Sequence, residues 1–252
     1  MLSPVTQALI EEAKIVAGQS VLDVAGGAGE PSLTIAKIVG PSGSVTCTDA
    51  VAEMVAAAQN EGRQRGLTNV LCRQCSADSL PFESESFDAT VSRLGAMFFP
   101  DPPAALREML RVTKSGGAIS LVVWGKSELN PFSYLITNVL ARYCDVAPPD
   151  PNAPGAFRFA QPGALAGLLN DAGVKDVKER ELKFQIAAAI SLEQFWEMRS
   201  ETSEILRGKL ATLSPPQAEL LAREAQDAVR EFFSDNQMSI PAQMIIVTAL
   251  KP

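Results

Sequence analysis

VLDVAGGAGE, residues 21–30, is an apolar run that gives way to glycine and ends on an acid. Its first half reads as a buried strand, and Gly26, Gly27 and Gly29 read as a turn. The next stretch, PSLTIAKIV (residues 31–39), predicts a helix with Pro31 at its first position, where a missing N–H is tolerated. A strand that ends in bare backbone at a helix N-terminus offers amide N–H groups and partial positive charge to a ligand.

Working outward, the same alternation continues. Strand-like runs at 20–26, 44–49, 69–75, 87–93 and 118–124 are separated by helical patterns, which is how a parallel sheet with crossover helices is written. In residues 50–66, Val51, Met54, Val55 and Ala58 fall on one helical face. In 101–117, Leu106, Met109 and Leu110 form an apolar stripe, and Gly116-Gly117 is expected to end that helix before the fifth strand. Beyond Trp124 come an amphipathic helix (130–144), a proline-rich stretch (146–155) and a helix within 157–173. An exposed strand (176–186), helical segments from 191 to 233 and a closing strand, QMIIVTAL (243–250), complete the pattern. The expected fold is α/β: a Rossmann-like, doubly wound, seven-stranded, mostly parallel sheet with an antiparallel last strand and helical lid inserts. One domain, 1–252, is expected: an N-terminal helix (1–19), a cofactor-binding core (20–125) and substrate or lid inserts at 126–175 and 190–240.

Bulk composition narrows the function. A formal charge of -7 disfavours nucleic-acid partners, because an acidic surface repels a phosphate backbone. No segment is apolar for long enough to suggest stable membrane insertion, so a soluble, cytoplasmic protein is expected. The chain has no histidine, which removes imidazole bases and imidazole metal ligands, and no metal is expected. The four cysteines, Cys47, Cys72, Cys75 and Cys144, are too few to suggest a disulfide framework. Cys72 and Cys75 have C-x-x-C spacing, but on a strand residues three apart face opposite ways, so two buried or half-buried thiols are expected.

Two features separate the ligands that a glycine turn can serve. A dinucleotide fingerprint started at Gly27 requires glycine at 32, where the chain has Ser32, and an acid, Asp23, lies inside the first strand. Asp49, at the end of the second strand, is placed where a carboxylate accepts ribose hydroxyls, which fits adenosine in either case. The series Asp23-Val24-Ala25-Gly26-Gly27-Ala28-Gly29, Asp49, Ser76-Ala77-Asp78-Ser79-Leu80-Pro81-Phe82, Phe87-Asp88 and Arg111-Val112-Thr113-Lys114-Ser115-Gly116-Gly117 resembles the successive motifs of class I S-adenosylmethionine-dependent methyltransferases. Within that class it is most similar to the ubiquinone/menaquinone C-methyltransferase-like (methyltransferase type 11) group, over roughly residues 20–125.

The resemblance implies S-adenosyl-L-methionine as cofactor and assigns its contacts to Asp23, Ala25, Gly27, Ala28, Gly29, Asp49, Ala50, Ser76, Ala77, Asp78, Ser92 and Arg93. Gly27 and Gly29 would underlie the methionine part, Asp49 would hold the ribose diol, and Ser76 and Ala77 would face the adenine edge. Ser92 and Arg93 would border the methionine end. A structural reading stands beside several of these: Asp23 as a cap on the turn, Asp49 as a helix N-cap, Arg93 as a surface cation. For Asp88 and Pro81, turn and strand-start duties are the better reading.

Methyl transfer from a sulfonium is an in-line displacement on an activated electrophile, so it requires alignment and exclusion of water more than any particular side chain. The catalytic residues are left unassigned. Phe98, Phe99, Phe132, Tyr134, Phe157, Phe159, Phe195 and Trp196 are candidates to line an apolar acceptor pocket, with Arg93, Tyr134 and Tyr143 as acceptor contacts. The group resemblance implies a small, quinone-like or otherwise lipophilic or aromatic acceptor; self-association into a homo-oligomer is left open. Two alternatives remain at this point: an NAD(P)-dependent oxidoreductase, and an S-adenosylmethionine-binding protein without catalysis.

Overall fold

The structure, a computed structural model, describes residues 2–143, 150 and 153–252, without the side chains of 204 and 205. Cys144 and most of the proline-rich stretch 146–155 lie outside the described residues. In chain order the elements are α1 (Ser3–Glu12), β1 (Ser20–Val24), α2 (Ser32–Val39), β2 (Ser44–Asp49), α3 (Ala52–Gln64), β3 (Val70–Gln74), β4 (Phe87–Arg93), α4 (Pro102–Val112) and β5 (Thr113–Trp124). They continue with α5 (Pro131–Leu140), α6 (Ala164–Asp171), β6 (Lys175–Ala188), α7 (Leu192–Thr202), α8 (Glu204–Leu210), α9 (Pro215–Val229), β7 (Phe233–Ser234) and β8 (Gln237–Leu250).

The strand order is β3-β2-β1-β4-β5-β8-β6, with the two-residue β7 paired to β8 as an eighth strand beyond the seven expected. The pairs β1–β2, β1–β4, β2–β3 and β4–β5 are parallel, and β8 runs antiparallel to β5. The centre is apolar on both faces, as a sheet covered by crossover helices requires: Val21, Leu22, Val24, Ile119, Leu121 and Val123 are buried. The order reverses between β1 and β4, so the carboxyl ends of these strands open a crevice, the usual ligand position in open α/β sheets.

The chain divides into two compact units. The sheet unit comprises Leu2–Gly125, Asn152–Leu182 and Met244–Pro252. Residues 152–175, expected to be part of the first insert, thus group with the sheet: Phe159, Leu165 and Leu169 belong to its core. The second unit comprises, of the described residues, 126–143, 150 and 183–243. In it α5 packs on α9, and α7 packs on α8 and α9. Two capping boxes, Ser191/Gln194 and Ser214/Gln217, start α7 and α9 by satisfying amides that have no partner inside the helix. Fully buried Asn130 donates to the carbonyls of Lys126 and Gln243 and accepts from the Gln243 amide, tying the start of α5 to β8.

Three local expectations are corrected. Gly116-Gly117 does not end the preceding helix: α4 stops at Val112 and the glycines lie within β5. The stop is Thr113, which turns to extended geometry while its Oγ1 donates to the Met109 carbonyl and lies 2.6 Å from Thr90 Oγ1. Pro31 is the N-cap of α2 rather than its first residue. On α3, Val55 and Ala58 are buried, but Val51 and Met54 are 48% and 44% exposed, so they serve something other than the core.

Asp88 has structural duties, as expected: it accepts from the Ser20 amide at 2.8 Å, fixing the start of β1, and pairs with Lys114 at 2.6 Å. The motif Leu80-Pro81-Phe82 is held from α4, because Arg111 donates to the carbonyls of Phe82 (2.7 Å) and Leu80 (2.8 Å), while Glu108 accepts from the Leu80 amide. Among the described residues, no helix is long and apolar enough to cross a membrane.

Candidate cofactor site

The crevice holds a cavity of about 630 Å³ formed entirely by the sheet unit. Its walls are the turn after β1 (Ala25–Ala28, Glu30), the end of β2 with the start of α3 (Asp49, Ala50, Val51, Met54), Cys75–Ala77 after β3, and Arg93–Gly95 with Phe98–Pro100 after β4.

The glycines of the turn have different causes. Gly27 has φ +56 and would place a Cβ in open space, so the backbone there is bare toward the cavity. Gly26 is bare for packing, since a Cβ there would stand 2.6 Å from Cys47 Sγ and 2.7 Å from Asp23 Oδ2. Gly29 does not line the cavity; a Cβ at that position would meet Leu33 Cδ1 at 2.9 Å. Gly95, unnoticed in the sequence, is bare because Ala25 Cβ and Ser92 Oγ each lie 2.6 Å from where its Cβ would be.

Asp49 ties two walls together. One carboxylate oxygen accepts from the Gly27 amide and the other from the Val51 amide, each at 2.9 Å. A carboxylate has about four acceptor positions, so lone pairs remain for ligand hydroxyls. The N-cap position of α3 is Val51, not Asp49.

Asp23 is placed differently from the role the resemblance implied. It is fully buried beneath the turn, outside the cavity lining, and its Oδ2 accepts from the Ser32 amide (3.1 Å) and hydroxyl (2.6 Å) at the start of α2. Burial pushes its carboxyl up to about 7, against the opposing pull of the Ser32 hydroxyl and Arg93. Asp23 is therefore a floor beneath the site, and with Gly29, Asp78 and Ser92 it stands outside the lining, whereas Ala25, Gly27, Ala28, Asp49, Ala50, Ser76, Ala77 and Arg93 are brought together in it.

Arg93 is not a free surface cation. Its guanidinium donates to Thr6 Oγ1 of α1 (2.8 Å) and to the Glu30 carbonyl (3.0 Å), while burial lowers its pKa. Its Nε, Asp23 Oδ1 and Ser92 Oγ are buried atoms with no hydrogen-bond partner among the described residues.

The sequence reading missed Val24, Gly26, Glu30, Val51, Met54, Cys75, Leu94, Gly95 and Pro100 as lining residues. For Val51 and Met54 a signal existed: they directly follow the acid at the end of β2, and a helix entering a ligand crevice must expose its first turn. Of the aromatic candidates, Phe98 (53% exposed) and Phe99 line the cavity. Phe159 belongs to the sheet-unit core, and Phe195 packs on Phe233 at 5.4 Å in the second unit. Phe132, Tyr134, Tyr143 and Trp196 also belong to the second unit, where Phe132 lies under Arg199. Phe157 is half-buried in the sheet unit.

A glycine turn, an acid at the end of β2 and a reversal of strand order are what the resemblance to class I methyltransferases implies, and comparisons place the chain further. The profile described as the ubiE/COQ5 methyltransferase family matches residues 6–149. A ubiquinone/menaquinone biosynthesis C-methyltransferase of Pasteurella multocida is 30% identical over 184 residues, 68% of each chain. An uncharacterized protein of Mycobacterium tuberculosis is 37% identical over 124 residues, 49% of this chain and 44% of its own length. The chain thus spans less than half the length of that relative. A crystal structure of a Bacillus halodurans protein, described as a methyltransferase, has the same fold: TM-score 0.61, 20% identity, 98% of both chains covered. The chain belongs to the ubiE/COQ5 methyltransferase family. The NAD(P)-dependent alternative is thereby set aside, in keeping with serine rather than glycine at 32.

Proposed function

We propose that this protein binds S-adenosylmethionine in the sheet-unit cavity and transfers its methyl group to a small lipophilic acceptor, with a quinone-like ring the leading candidate. The observation that carries the reading is the bare backbone at Gly27 beside the Asp49 carboxylate, which its amide helps to hold, in one cavity at the strand-order reversal. The residues fit the cofactor. Asp49 retains acceptor capacity for a ribose diol, exposed Val51 and Met54 offer an apolar wall to a purine face, and Arg93 brings a cation to the turn. We assign the contacts to the lining set, leaving Asp23 as support.

When bound, the sulfonium supplies a methyl group that is already activated. What the chain must then do is hold the acceptor in line and keep water away. Phe98, Phe99 and Pro100 provide an apolar wall for this, in the same cavity as Asp49. With no histidine in the chain, an acidic acceptor would lose its proton to solvent, since Glu30, the other acid in the lining, is held by Arg65 and Thr34. The quinone-like acceptor is supported by the name of the Pasteurella relative and by this apolar wall. Action in the cytoplasm as a soluble enzyme is part of the proposal.

Titration calorimetry with S-adenosylmethionine tests binding, and release of S-adenosylhomocysteine across a panel of quinols, phenols and amines tests turnover. Binding without release on any acceptor would favour the catalytically silent alternative; absence of binding would overturn the proposal.

A further inference from the structure

One buried group has no part in the proposed reaction. Cys47 on β2 and Cys72 on β3 are register partners in the parallel ladder, and Asp23 on β1 is the partner of Cys47 on the other side. Register partners in a sheet project to the same face, so Asp23, Cys47 and Cys72 form a row beneath the glycine turn. The two thiols are thus neighbours across the ladder, Cys47 buried and Cys72 half-buried. Cys75, the other half of the C-x-x-C spacing, lines the cavity instead. The sequence pairing that looked like a motif is thus not the pairing in space.

We propose that Cys47 and Cys72 are a reversible redox pair whose disulfide loosens the cofactor turn. Neighbouring strands are about 4.8 Å apart, within the Cα separation a disulfide tolerates, but the Cβ atoms of parallel partners sit near that spacing, wider than the roughly 3.8 Å a relaxed disulfide prefers. The bond therefore forms at the cost of strain, which makes it easily reduced and suits it to regulation rather than to permanent stabilisation.

Chemically, Cys72 is the attacking partner. It is the more accessible sulfur, and the neighbouring Cys47 thiol and the Arg63 cation lower its pKa against burial and the Asp23 charge, while the Cys72 neighbour and burial raise that of Cys47. An accessible, acidified thiol beside a resolving thiol is the arrangement of a redox-sensitive cysteine. With hydrogen peroxide as the two-electron oxidant, Cys72 thiolate breaks the O–O bond and becomes a sulfenic acid, and the departing hydroxide takes up a proton to leave as water. Cys47 sulfur then attacks Cys72 sulfur, the S–O bond breaks, and a second water leaves with the Cys47 proton. Two thiols are oxidised by two electrons, and one peroxide is reduced to two waters.

The consequence reaches the site through two contacts. Cys47 Sγ lies directly under Gly26, where a Cβ would be only 2.6 Å away, so drawing it toward β3 removes the turn's support. Asp49 is two residues further along β2, so closing β2 on β3 also shifts the carboxylate that holds the Gly27 amide.

The effect on cofactor affinity rests on the function proposed above; formation of the bond does not. The protein is treated with hydrogen peroxide, alkylated and mapped by mass spectrometry. A Cys47–Cys72 link is expected that dithiothreitol reverses, that is lost in Cys72→Ser and Cys47→Ser, and that persists in Cys75→Ser. Hydrogen exchange at the amides of residues 26–29 is expected to quicken at least fivefold in the oxidised form, and S-adenosylmethionine affinity to fall at least tenfold. A link through Cys75 or Cys144, direct conversion of Cys72 to sulfinic acid, or a Cys47–Cys72 link with unchanged exchange would each overturn the proposal. Failure of the reduced protein to bind S-adenosylmethionine would count against the cofactor assignment alone, since mapping and exchange read the redox pair without it.

Discussion

Replacing Asp49 with alanine tests the site at the residue where two of its walls meet. In the free protein the carboxylate accepts from Gly27 and Val51, each at 2.9 Å, with its remaining acceptor positions available to two ribose hydroxyls. Hydrogen bonds to a charged group contribute about 1.5–3 kcal/mol each, but the cavity is open and water replaces part of what is lost. A net loss of about 2–3 kcal/mol is expected, which is roughly 30–150-fold in dissociation constant. Calorimetry with S-adenosylmethionine and with 5′-methylthioadenosine, which keeps the ribose but lacks the amino acid portion, should show the same factor for both. Asp49→Asn separates the charge from the shape: it retains one acceptor oxygen but presents an amide N–H to a backbone donor, so a loss of similar size is expected. Equal affinities of wild type and Asp49→Ala would refute the ribose role, and a loss confined to S-adenosylmethionine would show that the carboxylate acts on the methionine end instead.

Three further outcomes follow from the floor of the site. Because the folded Asp23 carboxyl holds its proton up to about 7, whereas the unfolded chain releases it near 4, its contribution to stability falls as pH rises through that window and is flat above it. Asp23→Asn should therefore gain on wild type between pH 4 and 7, by an amount on the order of a few kcal/mol in urea unfolding; parallel pH profiles would refute the burial effect. Gly95→Ala forces a Cβ against Ala25 and Ser92, an overpacking that costs about 1–3 kcal/mol and should lower Tm by about 2–12 °C, with no change in Tm as the contrary result. Ala25 sits at φ +57, a left-handed conformation that costs a residue with a Cβ about 1–2 kcal/mol, part of which a more flexible unfolded glycine offsets. Ala25→Gly should accordingly raise Tm by about 1–4 °C, and a lowered Tm would show that the Ala25 methyl contributes packing that outweighs its strain.

Much of the fold was legible because its signals are local. The strands 44–49 and 87–93 were read to the residue, since a parallel strand buried on both faces is an unbroken apolar or β-branched run between polar turns. What escaped reading depends on tertiary contact. The end of α4 is set by a hydroxyl pair between Thr113 and Thr90, on strands whose adjacency no local pattern reveals. Val51 and Met54 carry the spacing of a core stripe, yet face the cavity because the first turn of α3 extends into the crevice. Within the site, the acid at 49 and the turn were legible from motif order. Whether Asp23 touches the ligand or supports the turn was not, because both roles call for a carboxylate at the same position. Gly95 and the Cys47–Cys72 contact arise from sheet register between distant segments, which sequence spacing does not encode.

Arg111 and Glu108 stand outside the cavity, yet they brace Leu80 and Phe82, and through them the segment that continues from the Ser76–Ala77 wall. A lysine at 111 has one ammonium where the guanidinium now serves two carbonyls and a carboxylate. For anyone redesigning acceptor preference, this divides the molecule usefully. Exposed Phe98 and Pro100 are open to wholesale randomisation, Phe99 is confined by the core it packs in, and a library that touches 108 or 111 would fill with clones whose Ser76–Ala77 wall has come adrift.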